Sequence, residues 1–224
     1  MTKKLLCFIC MSCVLISLFL SSCSHHPEYV YIGDVRTYTN IPGIYLAGSV
    51  FTNEDFEQFR YMRNMEILAL WNSHLIDDLT PISGLRTLRR LELNNTGVSD
   101  ISPISNLTNL RDLDLGGHYL ECITPIARLI NLERLVLYST GVTDITPLSS
   151  LTNLTVLDLT GNNITDITPL SNLTSLQELR LGDNQISDIS PLAGLDNLIT
   201  IELLENEITD WSPVSHVDDV HGRP

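Results

Sequence analysis

Along most of this chain, leucine, isoleucine and valine recur at fixed offsets with polar residues between them. Residues 151–172 read LTNLTVLDLTGNNITDITPLSN. The apolar positions that recur in other units are Leu151, Leu154, Leu157, Leu159, Ile164, Ile167 and Leu170. The same offsets return before and after it. One column is Leu85, Leu107, Leu129, Leu151, Leu173, Leu195 and Val217. Prolines mark the period: Pro81, Pro103, Pro125, Pro147, Pro169, Pro191 and Pro213 lie 22 residues apart. A strict period of this length predicts a solenoid of stacked units.

Within each unit, the leucine pair spaced by two (Leu157 and Leu159) predicts a short strand with one buried face. Spacings of three (Leu151 and Leu154) predict a turn of 3₁₀-helix. Each buried aliphatic side chain stabilises by roughly 1.5–3 kcal/mol. A single unit cannot offset the entropy lost on ordering 22 residues, so the units must stack. Proline suits the start of the turn because its φ is already set and its missing N–H is not needed there. Asp100, Asp144, Asp166, Asp188 and Asp210 precede it by three and are placed to accept from turn amides. Asn162, Asn184 and Asn206 form a second polar column, for which earlier units carry Thr96, His118 and Thr140. Asparagine tolerates unusual backbone angles and can bond to the turns above and below, so the ladder is expected to be weaker in the first half.

The pattern L-x-x-L-x-x-L-x-L-x-x-N-x-I-x-D-I-x-P-L resembles a leucine-rich repeat of the 22-residue class, most of all the repeats of bacterial internalins. The resemblance covers residues 65–216. It implies an α/β solenoid with a curved parallel β-sheet on the concave face and 3₁₀ or turn segments on the convex face. It also implies a binding scaffold rather than an enzyme. Host adhesion is a further implication of the family, whose long C-terminal extensions this chain lacks.

The ends are organised differently. Lys3 and Lys4 precede an apolar run over residues 5–20, too short for the ~20 residues that span a bilayer. With the Leu-Ser-Ser-Cys that closes it, residues 1–22 read as a secretory signal peptide. That motif resembles the bacterial lipobox and implies lipidation of Cys23, with several acyl chains as a stable membrane anchor. Residues 23–39 then read as lipidated terminus and tether. Residues 40–64 read as an N-terminal cap, with a first strand over Ile44 to Leu46 and a helix starting at Thr52-Asn53-Glu54-Asp55. Phe56, Phe59, Met62 and Met65 continue that helical stripe. Residues 65–216 hold seven repeats, the first one residue longer than the rest, and residues 217–224 begin an eighth. The expected location is the bacterial envelope, at the outer membrane or cell surface.

Charge and chemistry narrow the partners. Loss of Lys3 and Lys4 with the leader leaves 11 basic against 27 acidic residues, a net charge near −16. Nucleic acid and anionic surfaces are therefore disfavoured, and a basic protein partner is favoured. Cys122 is the one cysteine after position 23 and stands where other repeats place aspartate; it is expected to be partly buried. No internal disulfide can form in the mature chain. No nucleophile elbow, phosphate loop, dinucleotide fingerprint or zinc motif is present, so neither catalysis nor a cofactor or metal is expected. A monomer is expected.

The recognition surface is expected on the strands, where alternation buries the leucines and exposes the three residues around them. Stacking sets equivalent positions about 4.8 Å apart in columns. The first column is Ile67, Arg90, Asp112, Arg134, Val156, Glu178 and Thr200. The middle one is Ala69, Glu92, Asp114, Val136, Asp158, Arg180 and Glu202. The third is Trp71, Asn94, Gly116, Tyr138, Thr160, Gly182 and Leu204. The repeat does not dictate these residues. Trp71, Arg90, Glu92, Asp112, Asp114, Arg134, Tyr138, Asp158, Arg180 and Glu202 are the candidate protein-binding residues. Trp71 and Tyr138 are the aromatic anchors among them. The competing reading is a structural envelope protein whose face charges merely pair with one another.

Overall fold

The computed structural model describes residues 27–32, 35–47 and 52–223. The leader, Cys23 and the His25-His26 pair lie outside them. Among the described residues, nine parallel strands form one sheet in sequence order. They are β3 (Gly43–Ala47), β4 (Ile67–Trp71), β5 (Arg90–Glu92), β6 (Asp112–Asp114), β7 (Arg134–Val136), β8 (Val156–Asp158), β9 (Glu178–Arg180), β10 (Thr200–Glu202) and β11 (Asp219–His221). Each strand from β4 onward is followed by a turn and, up to β10, by a 3₁₀ segment opening at the periodic proline, from Thr80–Ile82 to Ser212–Val214. The registers are those of the sequence columns: Asp112 sits beside Arg90 and Arg134, and Leu157 beside Leu135 and Leu179.

The periodic leucines fill one continuous core from the cap to Val217. The column at Leu107, Leu129, Leu151 and Leu173 is wholly buried, as is the strand column at Leu113, Leu135, Leu157 and Leu179. The 22-residue spacing works because each repeat presents the same apolar edge to the next.

Polar columns complete the lattice. One to three residues after each strand from β4 to β10 comes a residue with left-handed backbone: Asn72, Asn95, Gly117, Ser139, Gly161, Asp183 and Glu205. The ladder residue follows. Asn184 Nδ2 donates to the carbonyls of Leu159 and Leu181 at 3.0 Å, and its Oδ1 accepts from Ile164 N–H at 3.0 Å. Asn162 and Asn206 repeat the pattern. The aspartates before the prolines accept from the amide two residues on, as Asp166 does from Thr168 at 2.8 Å. The hydrogen bonds from Thr168 hold the Asp166 carboxyl below its ordinary range, and Thr146 does the same for Asp144. A further asparagine column ties the convex side. Asn153 Nδ2 donates to Ile130 O at 2.9 Å, and Asn109, Asn131 and Asn197 make the equivalent bonds.

The N-terminal region departs from expectation in two ways. The stretch read as tether contains an antiparallel hairpin, β1 (Tyr29–Ile32) with β2 (Val35–Tyr38). Its inward residues Val30 and Ile32 are buried in the same core as the cap, so alternation within Tyr-Val-Tyr-Ile is strand patterning rather than linker composition. The cap helix is also short. Helix α1 (Asn53–Phe56) starts with the expected Thr52/Asp55 capping box and passes at once into a 3₁₀ segment, Glu57–Tyr61. Phe56, Phe59, Met62 and Met65 are spaced by three, which keeps one face at three residues per turn, and all four are buried. The extra residue of the first repeat lies in the loop that meets this cap: Asn53 Nδ2 donates to Asp77 Oδ1 at 2.6 Å and its Oδ1 accepts from Asp77 N–H at 3.2 Å.

Candidate protein-binding face

The three sheet-face columns form as expected, but they are not equally open. Ala69, Glu92, Val136 and Asp158 of the middle column are 0%, 5%, 4% and 8% exposed. A middle residue on this lattice has neighbours on both adjacent strands and in both flanking columns. Side chains as large as arginine and tryptophan fold over it. The expectation that all three positions face solvent is therefore corrected: four of the seven middle-column residues are covered, while Arg180 of the same column stays exposed.

The charges are organised into two networks. In the first, Glu92 accepts from Trp71 Nε1–H at 3.1 Å and from Arg90 Nε–H at 2.6 Å. Arg90 also lies 3.6 Å from Asp112, which accepts from Arg134 at 3.0 Å. Asp114 accepts from Asn94 at 2.7 Å and from Gly116 N–H at 3.0 Å, and sits 3.9 Å from Arg134. The hydrogen bond to Glu92 is the main reason the Arg90 guanidinium is held charged beyond its ordinary value. In the second network, Arg180 bridges Glu178 and Asp158, and Asp158 also accepts from Thr160 N–H at 3.0 Å. The arginines are each over two-fifths exposed, so such pairs contribute about 0–1 kcal/mol each. Their main effect is to fix side-chain positions. Glu202 makes no ion pair among the described residues.

Between the networks lies a less polar strip of Val136, Tyr138 and Val156. The Tyr138 ring rests directly on Gly116, where an added Cβ would fall inside the ring's van der Waals envelope. Position 116 thus acts as the bed for an aromatic from the next strand, and sequence columns alone gave no sign of it. Two further residues were missed. Tyr45 on β3 stands beside Ala69 and is 56% exposed, so the face begins one strand earlier than the repeats do. At the other end His221 on β11 stands beside Glu202.

Away from this face, Cys122 is exposed rather than partly buried, because its repeat position points outward in every copy. Thr124 donates to its sulfur, and those bonds lower the thiol's pKa just as they lower the equivalent aspartates. A groove of about 470 Å³ beside it is lined by Asp100, Glu121, Thr124 and Arg128. Among the described residues no group of metal-ligating side chains converges, and no helix is long and apolar enough to cross a membrane.

The family described as Leucine Rich repeats (2 copies) matches residues 86–128, 130–172 and 174–216. Internalin C2 of Listeria monocytogenes is 38% identical, with a TM-score of 0.69 over 80% of this chain and 74% of that one. The chain belongs to the internalin-like leucine-rich-repeat proteins. An internalin of the same organism, InlF, is 31% identical with a TM-score of 0.68, over 84% of this chain and 63% of that one. A leucine-rich-repeat protein of Leptospira interrogans shares the fold at 23% identity and a TM-score of 0.58, over 73% of this chain and 49% of its own length. The comparison with curated proteins gives no match.

Proposed function

We propose that this internalin-like protein is a lipid-anchored, monomeric envelope lipoprotein that binds another protein through its sheet face. The observation that carries the reading is the contrast between lattice and face. Residues that pack are near-invariant from repeat to repeat, while the accessible columns change sign, size and aromaticity within one rigid frame. Charges paired within the face hold their side chains in place before a partner arrives, which lowers the entropy cost of association. Tyr138 and Trp71 supply the partly exposed aromatic surface that dominates most protein interfaces. Three arginines against six carboxylates across the columns favour a basic partner. Cys23 and the leader before it supply the anchor, and the likeness to internalins makes a host protein the first candidate among partners.

A second reading, a structural envelope protein without a discrete ligand, draws support from the same ion pairs, since Arg90, Arg134 and Arg180 are all engaged within the face. The two readings separate in one experiment. The mature protein is used to capture cross-linked partners from bacterial envelope and from host extract, beside a variant with Trp71→Ser, Tyr138→Ser and Val156→Asp. Binding through the face requires at least a tenfold loss of capture with the melting temperature unchanged. Equal capture by both proteins rejects the face. For the anchor, fatty-acid label on wild-type protein and its absence from Cys23→Ala is the required result; label on the variant rejects it.

A further inference from the structure

The β1–β2 hairpin has an outer face that the solenoid does not use. Val30 and Ile32 point inward and are buried. Tyr29, Tyr31, Arg36 and Tyr38 point outward as a two-by-two block, with Tyr29 paired to Tyr38 and Tyr31 to Arg36 across the strands. The three tyrosines are 40%, 51% and 46% exposed. Arg36 lies 3.9 Å from the centre of the Tyr29 ring and 5.2 Å from that of Tyr38, and Tyr29 meets Tyr31 edge to face at 6.0 Å. Cross-strand pairing accounts for the order of the block, but not for placing four large amphipathic groups on the side that faces away from the core.

We infer that this block is a membrane-interface seat, which lays the hairpin against the lipid headgroups and orients the solenoid above them. The inference rests on lipidation of Cys23, which lies outside the described residues. Tyr29 follows Cys23 by six residues, so it cannot lie more than about 20 Å from the anchored sulfur even with the chain fully extended. Held that close, weak surface affinities become effective, because the second contact is intramolecular. Tyrosine is suited to the bilayer interface, where its ring meets the acyl boundary and its hydroxyl stays hydrated. The charge also fits. The block itself contains an arginine and no carboxylate, although Glu28 and Asp34 lie next to its strands in the sequence, whereas the mature chain as a whole has a net charge near −16, so the block is the part able to approach phosphates while the acidic repeats are repelled from them.

The test uses the mature lipidated protein in vesicles of three parts phosphatidylethanolamine to one part phosphatidylglycerol, with brominated phospholipid as the quencher. Tyr31→Trp is introduced as the reporter in a Trp71→Phe, Trp211→Phe background, with Ile199→Trp in that background as the distant control. A seated hairpin requires at least a twofold loss of fluorescence at position 31 and none at position 199. Protein that carries lipid on Cys23 and floats with the vesicles, yet shows no quenching at position 31, overturns the seat and leaves the anchor standing. Protein without lipid on Cys23 by mass overturns both. Equal quenching at the two positions also overturns the seat, because the solenoid would then lie flat on the bilayer.

Discussion

The first and second halves of the solenoid solve the same backbone problem with different side chains. From Asn162 onward, one asparagine per repeat donates to two carbonyls and accepts from an amide of the repeat before it. Earlier, Thr140 Oγ1 donates to Leu137 O at 2.9 Å and leans on Asn162 for the rest. His118 accepts from Thr96 N–H through Nε2 at 3.2 Å, so its proton sits on Nδ1 and is donated to Leu115 O at 2.7 Å. Ser73, which opens the column, is buried with no partner for its hydroxyl among the described residues. The lattice needs a donor and an acceptor at this position and tolerates several ways of supplying them. The early half is where the ladder is thinnest. It also carries the extra residue of the first repeat, Cys122 in an aspartate's place and the larger charge network.

The largest expected effect follows from this contrast. Asn184→Leu strands buried groups of two adjacent repeats, each costing about 1–3 kcal/mol, and should lower unfolding free energy by about 3–5 kcal/mol in urea titration. Thr140→Val should cost about 1–2 kcal/mol, since it removes chiefly one bond. Equal losses would erase the proposed difference between the halves.

His118 gives the next effect. Burial, the largest cause, holds its pKa below the ordinary value, against the opposing pull of its bond to Leu115 and the nearby Asp114. The unfolded chain therefore takes up a proton before the folded one does. Stability from this site is complete above about pH 6.5 and is lost as pH falls below it. His118→Asn should remove that loss, so the advantage of wild type over the variant shrinks between pH 7 and pH 5. A pH-independent difference would refute the neutral buried histidine. The aspartate caps lie in a separate window. Their folded pKa values are lowered, so their contribution is present above about pH 4 and lost below it.

Gly116→Ala should cost about 1 kcal/mol, because the half-buried Tyr138 ring must swing away as a rigid body to admit the methyl group. It should nonetheless reduce partner capture in the assay above, by moving the Tyr138 ring off its bed. Unaltered capture would remove Tyr138 from the binding surface. The smallest effect is expected for Cys122→Asp, which restores the repeat's own turn cap: a slight rise in melting temperature at neutral pH that vanishes below pH 4.

The amino-acid sequence by itself determined the period, the strand register, the core and the family, because each is a local rule copied every 22 residues. A leucine that must be buried in one repeat must be buried in all, so repetition makes the pattern legible. It also located the capping box at Thr52 and the columns that face outward. Tertiary structure alone decided how open those columns are, since the burial of Glu92 and Asp158 depends on side chains from neighbouring strands. It decided that Gly116 seats Tyr138, that Tyr45 extends the face, and that residues 29–38 fold as a hairpin. These depend on contacts between segments that the repeat does not encode. A period specifies what every unit shares, and the contacts particular to one place come only from the packing of one unit against its own neighbours.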